Sequence, residues 1–86
     1  MKPTITNDEG FKKFLQVIGT NLRDAREKQN LKIDTVAKAM KISGDQLDQI
    51  EKGQIDWEVN LIGRLCLYYK VSVKDIATDN QAQNET

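Results

Sequence analysis

Side chains that support catalysis are scarce in this chain of 86 residues. The sequence has no histidine, which excludes an imidazole base and a histidine-ligated metal. Cys66 is the single cysteine, so neither an intrachain disulfide nor a thiolate metal cluster can form. Carboxylates are plentiful, but no pair of them is marked by an apolar pocket, and the sequence has no glycine-rich phosphate loop. We therefore expect a protein that is not an enzyme and that binds no cofactor and no metal.

Composition points to one ordinary globular domain. Apolar types make up 38% of the residues and charged types 30%. Thirteen Lys and Arg oppose thirteen Asp and Glu, and the resulting net charge of zero counts against a non-specific binder of polyanions. No apolar run approaches the roughly 20 residues that a membrane-spanning helix needs, and none resembles a signal-peptide core. We expect a single cytoplasmic domain without a membrane segment.

Apolar spacing predicts an all-α fold of five helices, in which the domain covers residues 8–77. The first helix covers about residues 8–29 and follows an N-terminal arm of residues 1–7, with Thr6 as its N-cap and Asn30 at its end. Its inward face has alternating spacings of four and three residues and consists of Phe11, Leu15, Ile18, Leu22 and Ala25.

Two short helices joined by a tight turn follow the first helix. They are predicted over about residues 34–41 and 44–52, with Ile42 of the turn filling the space between them. This arrangement is the core of a helix-turn-helix, although similar corners occur in proteins with no role at DNA. Ser43 and Gln46 form a capping box, and Gly53 ends the second of these helices. The inward residues are Val36, Ala37, Met40, Leu47 and Ile50.

The last two helices follow the same logic of caps and apolar spacing. Asp56 caps a fourth helix, and Ser72 with Asp75 resembles a capping box that starts a final turn ending near Ala77. Residues 78–86 have no apolar anchor and are predicted to form a flexible C-terminal tail. The inward face of the fourth helix consists of Ile62, Leu65, Cys66 and Tyr69.

The stretch from Ile18 to Ile76 resembles the Cro/phage-repressor (Xre-type) helix-turn-helix family of DNA-binding proteins. About two thirds of the chain follows the family pattern in order and without a gap. The resemblance implies a five-helix, lambda-repressor-like domain with an extended first helix, in which helix 3 enters the major groove. The matching residues are Ile18-Gly19, Leu22-Arg23, Arg26, Leu31, Val36-Ala37, Ile42-Ser43, Leu47, Ile50-Glu51-Lys52-Gly53, Leu65, Val71-Ser72-Val73 and Ile76.

The resemblance also implies which residues contact double-stranded DNA. Base contacts fall on Gly44, Asp45, Gln46 and Gln49. Of these, Gln46 and Gln49 can each make a bidentate contact with adenine. The family usually has a glutamine at the start of helix 2 where this chain has Ile33, and the preceding Lys32 can replace that phosphate contact as a point charge. Phosphate contacts fall on Lys32, Lys38, Lys41, Ser43 and Lys52.

The charges around helix 3 are less favourable for binding to DNA than this assignment would suggest. Over residues 31–56, four lysines oppose five carboxylates, which gives a net charge of −1. We therefore expect binding to duplex DNA to be weaker and more salt-sensitive than that of a basic family member. The family pattern implies an ion pair between Arg26 and Glu51, which would leave the segment near neutral. Such a pair either orients helix 3 or only braces the fold.

Helix 4 carries apolar residues beyond its inward face. Trp57, Leu61 and Tyr68 lie at spacings of four and seven residues on a face rotated away from that inward face. These three residues form a candidate homodimer interface, and a two-fold dimer would suit a palindromic operator. The other interpretation is that Phe11 and Phe14 cover this face within the same chain.

Two functional hypotheses follow. The first is a sequence-specific DNA-binding transcriptional regulator, a repressor-like homodimer of a bacterium or phage. The alternative is a protein-interaction module of the same fold, such as an antitoxin-like partner or a dimerisation module, with weak or lost DNA binding. The nearly complete family pattern favours the first hypothesis, and the acidic residues of helix 3 favour the second. We favour the first.

Overall fold

The computed structural model describes residues 8–54 and 59–78, which contain five helices and no strand. This result confirms the predicted all-α class with five helices. Within the described ranges, every helix is too short or too polar to span a bilayer. The predicted N-terminal arm, the caps at Thr6 and Asp56, and residues 79–86 of the predicted tail lie outside the described residues. The helices are α1 (Asp8–Lys28), α2 (Ile33–Met40), α3 (Gly44–Glu51), α4 (Val59–Tyr69) and α5 (Val73–Ala77).

The first four helices end in the same kind of left-handed turn. The residue in the left-handed region is Asn30, Lys41, Gly53 or Lys70, with φ between 58° and 70°. In each turn the following N–H donates to the carbonyl five residues back, as Ile42 N–H does to Ala37 O at 3.0 Å. This is the Schellman pattern, which satisfies the free carbonyls at a helix end. The apolar residues after three of these turns, Leu31, Ile42 and Val71, pack against the core.

The core lies where α1 meets the other helices. Helix α1 packs against α3, α4 and α5, and α2 packs against α3 and α4. The prediction that Phe11 faces inward is wrong, because its side chain is 58% exposed. The fully buried part of α1 begins at Ile18, more than two turns after the helix starts. The core residues are Ile18, Leu22, Ala25, Val36, Ala37, Met40, Leu47, Ile50, Leu61, Leu65, Cys66, Tyr69 and Ile76.

The position of Leu61 corrects the predicted dimer face of α4. Leu61 is 5% exposed and belongs to the core, so it is not available to a partner. Tyr68 is half-buried against the core, with its ring centroid 5.8 Å from that of Tyr69. Trp57 lies outside the described residues. The inward face of α4 is wider than its spacing predicted, because α4 packs on both α1 and α2.

Side-chain amides and a guanidinium fasten three helix ends. Asn21 Nδ2 donates to Ile76 O at 2.7 Å and to Thr78 O at 2.8 Å. Gln29 Nε2 donates to Tyr69 O at 2.7 Å, and Arg64 donates to Met40 O at 3.0 Å. The last carbonyls of a helix have no partner within the helix, so each of these bonds satisfies a free acceptor while joining distant parts of the chain.

The phenol of Tyr69 is buried without a hydrogen bond. Its side chain is 1% exposed, and its hydroxyl oxygen has no partner among the described residues. Burial raises the pKa of Tyr69 above its usual value of 10, and the negative charge of Glu51 acts in the same direction. A buried polar group without a partner destabilises the folded state, because water would have bonded to it in the unfolded chain.

Replacing Tyr69 by phenylalanine should therefore stabilise the protein by about 1 kcal/mol at neutral pH. Because the folded-state pKa of Tyr69 is raised, wild-type stability is full below about pH 10 and falls as the pH rises above that value. The advantage of the Tyr69→Phe variant should grow over this range. Urea denaturation at about pH 7 and pH 10.5 measures both effects, with Tyr68→Phe as the matched control. A destabilised Tyr69→Phe variant would show that the hydroxyl has a partner.

Candidate nucleic-acid interface

A three-residue turn sets the angle between α2 and α3. Lys41 occupies the left-handed region at φ 63°, Ile42 packs on the core, and Ser43 is extended. The Ser43 hydroxyl oxygen accepts a hydrogen bond from Gln46 N–H at 3.0 Å, which is one of the two bonds of the predicted capping box. Ala37 is 3% exposed, and its small side chain allows the two helices to cross closely. These features together make a compact helix-turn-helix.

Helix α3 separates apolar and polar residues onto opposite faces. Leu47 and Ile50 are fully buried on the inner face. Asp45, Gln46 and Gln49 are exposed on the outer face, so the structure brings together the three side chains that were predicted to contact bases. Gly44, the fourth predicted base contact, is half-buried beside α2: a Cβ there would lie 3.0 Å from Asp34 Oδ1. Gly44 therefore allows α2 and α3 to pack closely, and it has no side chain that could contact a base.

The four lysines of the predicted phosphate set are all exposed. Lys32 precedes α2 at its N-cap position, Lys38 lies in the last turn of α2, and Lys41 lies in the turn itself. Lys52 lies at the end of α3, where its Nζ is 2.9 Å from Asp48 Oδ2. Lys52 thus already has an acidic partner one turn away on the same helix. Ser43, the fifth member of the set, is exposed, and a hydroxyl group can donate a hydrogen bond while its oxygen accepts one.

Carboxylates also lie at the junction of α2 and α3. Asp34, Asp45 and Asp48 line an open depression together with Ile33, Ser43 and Gly44. The depression adjoins the outer face of α3, so the negative charge expected from the sequence is concentrated beside the candidate base-reading residues. Any polyanion that approaches this face meets carboxylates as well as lysines.

Two glycines hold the end of α3 against α1. A Cβ on Gly19 would lie 2.5 Å from the backbone oxygens of both Ile50 and Glu51. On the opposite side, Gly53 has φ 70°, and a Cβ there would lie 2.8 Å from the backbone nitrogen of Gln16. Neither contact leaves room for a larger residue, since backbone atoms cannot rotate away. The two glycines therefore fix how closely the end of α3 approaches α1.

A buried ion pair fixes the same end of α3. Arg26 Nε donates to Glu51 Oε2 at 2.7 Å, and a second guanidinium nitrogen donates to Oε1 at 3.1 Å. The third nitrogen of Arg26 donates to Leu31 O at 2.8 Å, so the guanidinium also ties down the loop before α2. Hydrogen bonding to Glu51 raises the pKa of Arg26, against the opposing effect of burial. The pair that the family pattern implied is therefore present as a two-bond contact.

Several of these contacts were not predicted from the sequence. Gly19 was one of the family-pattern residues, but helical spacing gives no sign that two backbones meet at it. Asp48 and Lys52 are four residues apart on one helix, a spacing at which opposite charges pair. That spacing was the signal that could have identified Lys52 as a paired lysine. Arg64 was not singled out, because its bond to Met40 O depends on how α4 meets α2.

Comparison with known families identifies the type of domain. The model of a helix-turn-helix domain matches residues 17–78, which include the turn, α3, both glycines and the ion pair described above. Comparisons with curated proteins and with solved structures gave no match. The matched region covers most of the chain and excludes the first turns of α1, where Phe11 and Phe14 are exposed. The chain belongs to the helix-turn-helix domain family.

Proposed function

We propose that this protein is a sequence-specific DNA-binding transcriptional regulator of the repressor-like, Xre type. The observation that carries the proposal is the outer face of α3, where Gln46 and Gln49 are exposed opposite the buried Leu47 and Ile50. In helix-turn-helix proteins the N-terminal residues of the second helix contact base edges in the major groove. The amide of a glutamine matches the N6 and N7 groups of adenine. Gln46 and Gln49 are therefore assigned to adenine.

Phosphate contacts are assigned to the residues around the turn. Lys32, Lys38 and Lys41 are exposed at the start of α2, at its end and in the turn. Ser43 donates its hydroxyl hydrogen, while its oxygen caps α3. Each phosphate that these lysines neutralise steepens the dependence of binding on salt, so binding is expected to fall between about 50 and 200 mM salt. Asp45 is assigned to cytosine, whose amino group donates a hydrogen bond that a carboxylate can accept.

Replacing Gln46 or Gln49 by alanine should each weaken binding to a selected operator about 5- to 150-fold, the cost of about 1–3 kcal/mol for one bidentate contact. The operator is first enriched from random duplex DNA at about 50 mM salt, and the affinities are then measured by fluorescence anisotropy. Binding to an unrelated duplex should change little, since the amides do not contact phosphate.

The matched control is Gln16→Ala, which removes an exposed glutamine from α1. This variant should bind the operator like the wild type. The proposal fails if no duplex is enriched, or if both α3 variants bind the selected operator as tightly as the Gln16→Ala control.

A protein-interaction module is the second candidate function, and two exposed side chains favour it. Phe11 is 58% and Phe14 is 47% exposed, and they lie three residues apart on the part of α1 that the family model does not cover. Residues at this spacing are neighbours on a helix surface, so the two rings form one apolar patch. In a homodimeric regulator this patch replaces Leu61 as the candidate contact between copies.

A further inference from the structure

Two oppositely charged side chains form an ion pair at the end of α3. Asp48 Oδ2 lies 2.9 Å from Lys52 Nζ, with the two side chains 42% and 59% exposed. Asp48 lies in α3 next to Gln49, and Lys52 follows one turn later at the C-cap of the helix. Asp48 also lines the depression that it shares with Asp34.

We propose that Asp48 is a specificity-determining residue that suppresses sequence-independent binding to duplex DNA by holding Lys52 in this ion pair. The inference rests on the proposed function. A lysine at the end of α3 would otherwise neutralise a phosphate of any sequence, which raises affinity without adding base recognition. While Asp48 holds the ammonium group, a phosphate must compete for it and must also approach a carboxylate.

The charges around the turn nearly cancel, so the loss of one carboxylate changes the local net charge substantially. Residues 31–54 contain four lysines and four carboxylates, and Glu51 is buried against Arg26. The exposed set is therefore four lysines against three aspartates, a net charge of +1. Removing the charge of Asp48 raises this value to +2 and releases Lys52. Each additional phosphate contact steepens the dependence of log K on log salt concentration by about 0.9.

The test is an Asp48→Asn variant titrated with a random-sequence duplex at about 50, 100 and 200 mM salt. We expect affinity at the lowest salt to rise on the order of tenfold, with a salt slope steeper by about 0.9. Asp24→Asn is the matched control, since it removes the same charge from an exposed position on α1 and should change affinity less than about twofold. The Asp48→Asn, Lys52→Gln double variant should lose the gain and bind no more tightly than wild type.

Each alternative outcome identifies what has failed. Equal affinities of Asp48→Asn and Asp24→Asn, with measurable wild-type binding, would overturn this inference and leave the proposed function standing. A double variant that keeps the whole gain would overturn the role of Lys52. If neither the wild type nor Asp48→Asn binds any duplex at about 50 mM salt, the proposed function and this inference both fall. Thermal melting confirms folding of the variants, which should match wild type closely because the pair is exposed.

Discussion

A Gly19→Ala variant should lose about 3 kcal/mol of stability, the high end of the range for overpacking a core. The new methyl carbon would lie 2.5 Å from the carbonyl oxygens of Ile50 and Glu51. Both obstacles are backbone atoms at the end of α3, so relief requires α1 and α3 to move apart. That movement would also strain the Arg26–Glu51 contact. A loss of this size is a large part of the stability of a domain with 86 residues.

Gly63 provides the matched control for this variant. It lies within α4, and a Cβ there would meet no atom within 4 Å in the described part of the chain. Gly63→Ala should therefore stabilise the protein by about 1 kcal/mol through helix propensity alone. Urea denaturation followed by circular dichroism measures both variants. If Gly19→Ala were stabilised as much as Gly63→Ala, this result would contradict the close approach of α1 and α3.

A Glu51→Ala variant should lose about 3–5 kcal/mol, the typical cost of breaking a buried ion pair from one side. Glu51 accepts two hydrogen bonds from Arg26, and both residues are less than 10% exposed. Without Glu51, the buried guanidinium keeps its charge but loses the two hydrogen bonds to its buried acidic partner, and the exposed Glu27 is left at 3.9 Å. The variant should also weaken operator binding, because the end of α3 is no longer fixed to α1.

Two comparisons isolate the effect of the buried pair. Glu27→Ala removes an exposed carboxylate that contacts Arg23 at 3.1 Å and lies at 3.9 Å from Arg26, the outer limit of an ion pair, and it should cost less than about 1 kcal/mol. An Arg26→Met, Glu51→Leu double variant should recover much of the stability lost in Glu51→Ala, since it leaves no unpaired buried charge. Equal losses in Glu51→Ala and Glu27→Ala would contradict the structural importance of the pair.

Most of the fold prediction came from the spacing of apolar residues and from the helix caps. The stop at Gly53 and the capping box from Ser72 to Asp75 depend on local chemistry, which a sequence displays directly. The errors concern residues whose burial depends on contacts between helices. Leu61 is buried because α4 packs on two helices. Phe11 is exposed, since it lies in the first turns of α1, ahead of the buried part that begins at Ile18.

The candidate site was predictable in its residue types and less so in its geometry. The turn and the outer face of α3 follow from the apolar positions of Leu47 and Ile50, which fix where Gln46 and Gln49 lie. The role of Gly19 could not be predicted, since it depends on the distance between two helices. The pairing of Lys52 with Asp48, in contrast, could have been predicted from their spacing of four residues.

The most direct test of the proposed DNA interface is an NMR titration of the ¹⁵N-labelled protein with the selected operator at about 50 mM salt. We predict that amide shifts concentrate around the turn and the first turns of α3, from Lys41 to Gln49, with further changes at Lys32 and Lys38. The α1 patch of Phe11 and Phe14 should not respond directly to DNA. Shifts confined to that patch, or none in α3, would contradict the assignment and favour the protein-interaction module.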